Sequence, residues 1–275
     1  MALDKIGTNG LVASAIVPPD SSITSAKIAD DAVTSAKIGT NAVTNAKIAN
    51  DVTKGLQSIQ TFTSDGTWTK PSGIKLIKVI VTGGGAGGGC GNAIDASSTG
   101  GGGGGGSGAT AIKIIDVTSV SSIAVTVGAN GTGAAAGTTD ETPGTNGGTS
   151  SFGSYCSATG GVGGASHDIA SNGTANAGGG AGGTATGGDI NFAGETGGYS
   201  AAGGTSSVAF THAGTGGASY WGGTQDTYAG DNDYYAGTTA TFYGAGGSGS
   251  AEDNDMGNRA GGNGKAGFVL VEEYA

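Results

Sequence analysis

The sequence predicts an all-β protein: a short trimeric fibrous shaft of β-repeats, followed by a glycine-rich domain of β-strands and packed polyglycine-II helices. Three observations lead there. Only six of the 62 glycines precede Thr82, and the rest recur in runs, above all across 83–108. Large aliphatic residues fall every fifth position at Ile23, Ile28, Val33, Ile38, Val43 and Ile48. Short β-branched segments alternate with the glycine runs, and no stretch carries the 3.6-residue apolar period of a helix.

Residues 1–56 form the first segment. Thr24-Ser25-Ala26-Lys27-Ile28, Thr34-Ser35-Ala36-Lys37-Ile38 and Thr44-Asn45-Ala46-Lys47-Ile48 repeat at ten-residue spacing. A period of five is neither that of a helix nor that of a plain strand. It suits short strand-and-turn units with Asp, Asn and Thr at the corners, wound about an axis. One aliphatic side chain per five residues cannot fill a core from a single chain, so several copies, taken as three, must share the axis. Lys27, Lys37 and Lys47 then line its outside.

Residues 57–275 form the second domain. Residues 62–71 are expected to make a hairpin turning at Asp65-Gly66. The strongest strand is 74–82, followed by 111–117, 123–127 (Ile123, Val125 and Val127 on one face), 150–155 and 208–210. The last, 267–272, is expected to pair with 77–81 and so join the start of the domain to its end. Between them lie Gly83-Gly84-Gly85, Gly87-Gly88-Gly89, 100–106 and later runs. Glycine loses more backbone freedom on ordering than any other residue, by about 0.5–1 kcal/mol relative to alanine, so these runs order only if their backbone is paired. Extended threefold rods, close enough for each N–H to reach a carbonyl on a neighbour, would satisfy that requirement. Collagen is excluded, because the Gly-X-Y period is missing and there are 4 prolines.

Charged residues make up 12% of the chain and the formal charge is −10. Residues 1–56 are balanced, so the acidity belongs to the glycine-rich part. An acidic surface without a basic patch argues against nucleic acid as a partner. No run of 18 apolar residues exists, so membrane insertion is not expected. The first residues lack an apolar core, so no secretory signal is expected. Cys90 and Cys156 permit one disulfide, with two buried thiols as the simpler reading.

The sequence offers little for chemistry. Ser166-His167-Asp168 spells a triad, but triads are assembled in space and consecutive residues of an extended chain diverge. Asp189 with Glu195, or Asp226 with Asp231, could be drawn as the carboxylate pair of a glycosidase. The acidic stretches at Asp231-Asn232-Asp233 and Glu252-Asp253-Asn254-Asp255 lack EF-hand spacing. No cofactor, metal or enzymatic activity is expected. Aromatic residues are more telling. Five of eight tyrosines and one of two tryptophans lie between 220 and 243. Tyr220, Trp221, Tyr228, Tyr234 and Tyr235, with Asp231 and Asp233 among them, are the candidate binding residues, since such rings bring rigid contact area at low entropic cost. Phe242, Tyr243 and Trp68 are assigned to packing.

The segment Phe62-Thr63-Ser64-Asp65-Gly66-Thr67-Trp68-Thr69-Lys70-Pro71, running on to Val79-Ile80-Val81-Thr82-Gly83-Gly84-Gly85, resembles the opening of the glycine-rich domain of bacteriophage tail-fibre proteins. Val125-Thr126-Val127-Gly128, Gly147-Gly148-Thr149-Ser150-Ser151-Phe152-Gly153 and the closing 264–272 are similar to later landmarks of that family, and the Thr-Ser-Ala-Lys-Ile repeats to phage-fibre shafts. The resemblance implies a homotrimer in the virion's tail fibre. Its N-terminus would attach to another tail protein, and its tip would bind a protein or glycan receptor on the bacterial surface through loops between polyglycine-II rods. A purely structural fibre, a glycan depolymerase and an ice-binding lattice are the alternatives.

Overall fold

The computed structural model describes residues 55–92, 99–136, 142–169, 174–205, 208–223, 229–230, 235–253 and 259–275, all within one compact unit, Gly55–Ala275. Of the segment 1–56, read from the sequence as a shaft, residues 1–54 lie outside the described residues. Among those described the protein is all-β, without a helix, and builds four sheets whose pairings are antiparallel except for the short contact between His167–Ile169 and Gly91–Asn92.

Two five-stranded sheets form a sandwich. The first has the order Leu56–Phe62, Phe268–Tyr274, Leu76–Thr82, Thr110–Asp116, Ile190–Phe192. The second runs Ala185–Thr186, Cys156–Ala158, Ser150–Phe152, Ser122–Thr126, Gly66–Thr69. Alternation decides the faces. Ile77, Val79 and Val81 point inward with Val269 and Val271 from the same sheet, and meet Ile123, Val125 and Phe152 from the other. The expected closure holds: Val269 to Glu273 pair antiparallel with Val81 to Ile77, so the ends of the domain lie side by side. Trp68, fully buried, packs 6.1 Å from the Phe152 ring and donates its indole N–H to Glu273 Oε1 at 2.7 Å, tying the two sheets together. Glu273, itself fully buried, also accepts from Gln60 Nε2 at 2.7 Å and from the Ser58 hydroxyl. Three neutral donors thus stand in for the water that burial removed.

The expected hairpin at Asp65-Gly66 is not formed. Leu56–Phe62 pairs with the C-terminal strand, Gly66–Thr69 with Ser122–Thr126, and the turn carries the chain from one sheet to the other. Asp65 Oδ1 accepts the Val127 N–H at 2.8 Å, so the side chain anchors the corner to a third segment. Of the strand expected over 150–155 only Ser150–Phe152 forms; a tight turn with Gly153 at φ +51° follows and leads into a second short strand, Cys156–Ala158.

The sandwich strands run on into the glycine segments, whose hydrogen bonds repeat every three residues. In 83–89, the N–H groups of Gly83, Ala86 and Gly89 donate to Ala109, Gly106 and Gly103. Those of Gly84 and Gly87 donate to Gly148 and Thr145, and those of Gly85 and Gly88 to Lys265 and Gly262, all within 2.8–3.0 Å. The carbonyls follow the same rhythm. Gly84 and Gly87 accept from Gly161 and Gly164, Gly85 and Gly88 from Gly131 and Ala134, Ala86 and Gly89 from Gly247 and Ser250. Each residue in three therefore faces a different pair of neighbours, and one run is surrounded by six others. The run 102–109 has the same arrangement, donating to 244–250, 159–165 and 195–198 and accepting from 83–89, 180–183 and 214–217. Backbone groups buried in these runs are thus paired without a sheet. The fit requires bare Cα atoms: a Cβ at Gly85 would lie 1.8 Å from the Ala245 carbonyl oxygen, and one at Gly104 1.7 Å from that of Thr215.

Two small sheets occupy the other ends of these runs. One is Ala251–Asp253, Thr99–Gly101, His167–Ile169, Gly91–Asn92; the other is Thr174–Ala175, Ala201–Thr205, Val208–His212, Ala229–Gly230. Cys90 and Cys156 are both buried thiols, not bridged to one another, the simpler of the two readings.

Candidate functional site

Among the described residues the aromatic-rich stretch does not form one patch. Ser219 and Gly222 exchange backbone hydrogen bonds of 3.0 and 3.3 Å, closing a tight turn with Tyr220 and Trp221 at its corners. This turn lies over the sandwich. Trp221 donates its indole N–H to Thr82 Oγ1 at 2.9 Å and sets its ring edge-on against Phe268, 5.1 Å away at 89°. Tyr243 stacks on Phe268, 4.6 Å away at 13°. Tyr235, by contrast, bridges Ala251, at the far end of the run 244–250 from Gly244, whose neighbours are Thr82 and Ser219. Tyr228, Asp231, Asp233 and Tyr234 lie outside the described residues.

Of the candidates at the sandwich end, Trp221 is engaged in packing and Tyr220 is presented. Tyr220 is 48% exposed, stands edge-on to Trp221 at 5.2 Å, and meets Phe192, 44% exposed, at 5.7 Å. Phe242, assigned to packing from the sequence, covers Gly222 with one side of its ring and leaves the other half open. The two rings of Tyr220 and Phe192 border a cleft of about 290 Å³, whose remaining walls include Thr110, Gly194, Glu195 and Ala218. Glu195 is fixed at three points: its N–H donates to Ser107 Oγ at 2.7 Å, its carbonyl accepts from Ser107 N–H at 3.0 Å, and its Oε2 accepts the Ala218 N–H at 2.8 Å. An exposed carboxylate beside two aromatic faces, held on a backbone lattice, can accept hydrogen bonds from a polar ligand while the rings cover its apolar side. Phe192 was not among the candidates, and Glu195 was named only with Asp189 as a possible carboxylate pair. The only sequence mark of Phe192 is the apolar–polar–apolar run Ile190-Asn191-Phe192, an edge strand set among glycines.

Two of the residues that suggested chemistry, Ser166 and Asp189, have structural partners, whereas Asp226 and Asp231 lie outside the described residues. Ser166 is buried, donates to the Thr142 carbonyl at 2.6 Å and accepts the Cys90 N–H at 2.9 Å. Asp189 Oδ2 accepts the Ile114 N–H at 2.8 Å, and its other oxygen lies 3.6 Å from Lys113 Nζ. That N–H and the lysine hold its carboxyl below the usual range. Asp189 thereby fastens Ile190–Phe192 to the neighbouring strand, and so helps to place Phe192.

Comparison with curated proteins finds no match. A family model described as a glycine-rich domain matches residues 60–274, a span that takes in the sandwich, the hydrogen-bonded runs and the cleft. By that match over most of its length, the chain belongs to the glycine-rich domain family.

Proposed function

We propose that the protein is a bacteriophage tail-fibre adhesin whose glycine-rich domain binds a receptor on the host surface. The observation that carries this reading is the cleft between Tyr220 and Phe192. Two exposed rings and a fixed carboxylate stand on a scaffold held by main-chain hydrogen bonds, so side chains at its margin are free to serve recognition. The three-residue hydrogen-bond rhythm supports assigning the glycine runs as polyglycine-II helices. The decapeptide repeats support a trimeric shaft in 1–56, joined to another tail protein and carried in the virion. The mechanism is adhesion without covalent chemistry.

The test is adsorption of purified full-length protein to candidate host cells. Tyr220→Ala with Phe192→Ala should abolish binding while leaving the thermal unfolding curve in place, since both rings are nearly half exposed. Binding equal to wild type would remove the cleft from the receptor site. Absence of binding by the wild-type chain to any susceptible bacterium would leave a structural fibre instead.

A further inference from the structure

The outward face of the first sheet, opposite Ile77, Val79 and Val81, carries half-exposed apolar residues around a centre where Ile80 is buried. One register row crosses four strands as Ile59, Glu272, Lys78, Ile114. The adjacent row is Thr61, Leu270, Ile80, Ile112, Ile190. Ile59 is 54% exposed, Ile114 62% and Ile190 52%. The two charges within these rows neutralise one another, Lys78 Nζ lying 3.2 Å from Glu272 Oε1. Several half-exposed apolar side chains gathered on one sheet face mark an interaction surface.

We propose that a second copy of this chain docks on this face, so that glycine-rich domains associate directly with one another. Two observations select that occupant. The chain carries a formal charge of −10, and most of its surface would repel a like copy; these two rows hold one ion pair and no net charge, with Asp116 in the next row beside Leu76, and meet their own kind with less of that penalty. The five-residue aliphatic pattern, which one chain cannot bury, ends at Ile48, shortly before Leu56, the half-exposed first residue of the sheet's edge strand. Copies joined through that segment would hold their sheet faces at high effective concentration, where a weak contact suffices. The inference shares the association of chains with the proposed function but needs no receptor.

Carbene footprinting of the full-length protein, with its mass measured by sedimentation equilibrium, tests it without host cells. Ile59, Ile114 and Ile190 should label several-fold less than Val162 and Tyr199, which are exposed elsewhere, in a species of more than one copy. Ile114→Glu should raise labelling of Ile59 and Ile190 to the level of Val162 with far-UV circular dichroism unchanged. Free labelling of all three isoleucines in the wild-type assembly would overturn the proposal. So would protection in a single-copy species, because the chain's own residues would then be the cover. Protection that survives Ile114→Glu would overturn it as well.

Discussion

Replacing Gly85 by alanine puts the backbone lattice to a direct test. The added Cβ would stand 1.8 Å from the Ala245 oxygen and 2.3 Å from its carbon, both main-chain atoms that no rotamer change can move. An ordinary C···O contact is about 3.3 Å or longer, so the two runs must part by about 1.5 Å. Three hydrogen bonds bear on that junction: Gly85 N–H to Lys265, Gly131 N–H to Gly85 and Lys265 N–H to Ala245, at 2.8, 2.8 and 2.9 Å. Such a displacement takes a bond of this length beyond hydrogen-bonding range. Each buried group left unmade costs about 1–3 kcal/mol; losing two of the three bonds therefore destabilises by roughly 2–6 kcal/mol. For a domain of this size that corresponds to a fall of roughly 5–20 °C in Tm. Gly178→Ala is the control, since a Cβ there meets nothing within 4 Å; it should be neutral or slightly stabilising. Thermal unfolding followed by far-UV circular dichroism reads both. If Gly85→Ala melts within a degree or so of Gly178→Ala, main-chain contact is not what holds these runs.

Glu273→Leu should destabilise by roughly 2–4 kcal/mol in urea titration, because it strands the Trp68 indole N–H in the core and removes the acceptor of Gln60 and Ser58; Glu273→Gln, which keeps one carbonyl oxygen, should lose less, and equal losses would count against the hydrogen-bond account. Burial pushes the Cys156 thiol up to about 11 from 9.0. The unfolded chain therefore gives up this proton first, and stability should decline as pH rises past about 9. At pH 8 iodoacetamide should modify Cys156 only in denaturant, and labelling of the folded protein would refute its burial. Glu272 is held below its ordinary 4.5 by the Tyr274 hydroxyl and then by Lys78. Its contribution is complete above that value and is lost as pH falls below it, so the urea midpoint of Glu272→Gln should vary less with pH in acid than that of wild type.

How much could be read from the chain depended on the range of the interaction. Ile123, Val125 and Val127 declared an inward face through their own alternation, and the strands 74–82 and 267–272 were each legible from their own β-branched and apolar residues. The requirement that glycine runs pair their backbones also follows from the residues alone, because an unpaired run has no means of ordering. These are local properties, written in a few consecutive residues.

Partner choice is a property of the whole, and there the sequence was silent or misleading. Asp65-Gly66 has the composition of a hairpin turn, yet its flanking strands find better partners in Phe268–Tyr274 and Ser122–Thr126 and part into separate sheets. Tyr220 and Tyr235 are near neighbours in the chain, but lie at opposite ends of a glycine run. Trp221, half-buried, also gives its indole N–H to Thr82 and its ring edge to Phe268, partners that its place in the chain does not announce. The amino acids determined which segments could be strands or bare rods; only long-range packing determined which rings were consumed by it and which, like Tyr220 and Phe192, were left facing outward.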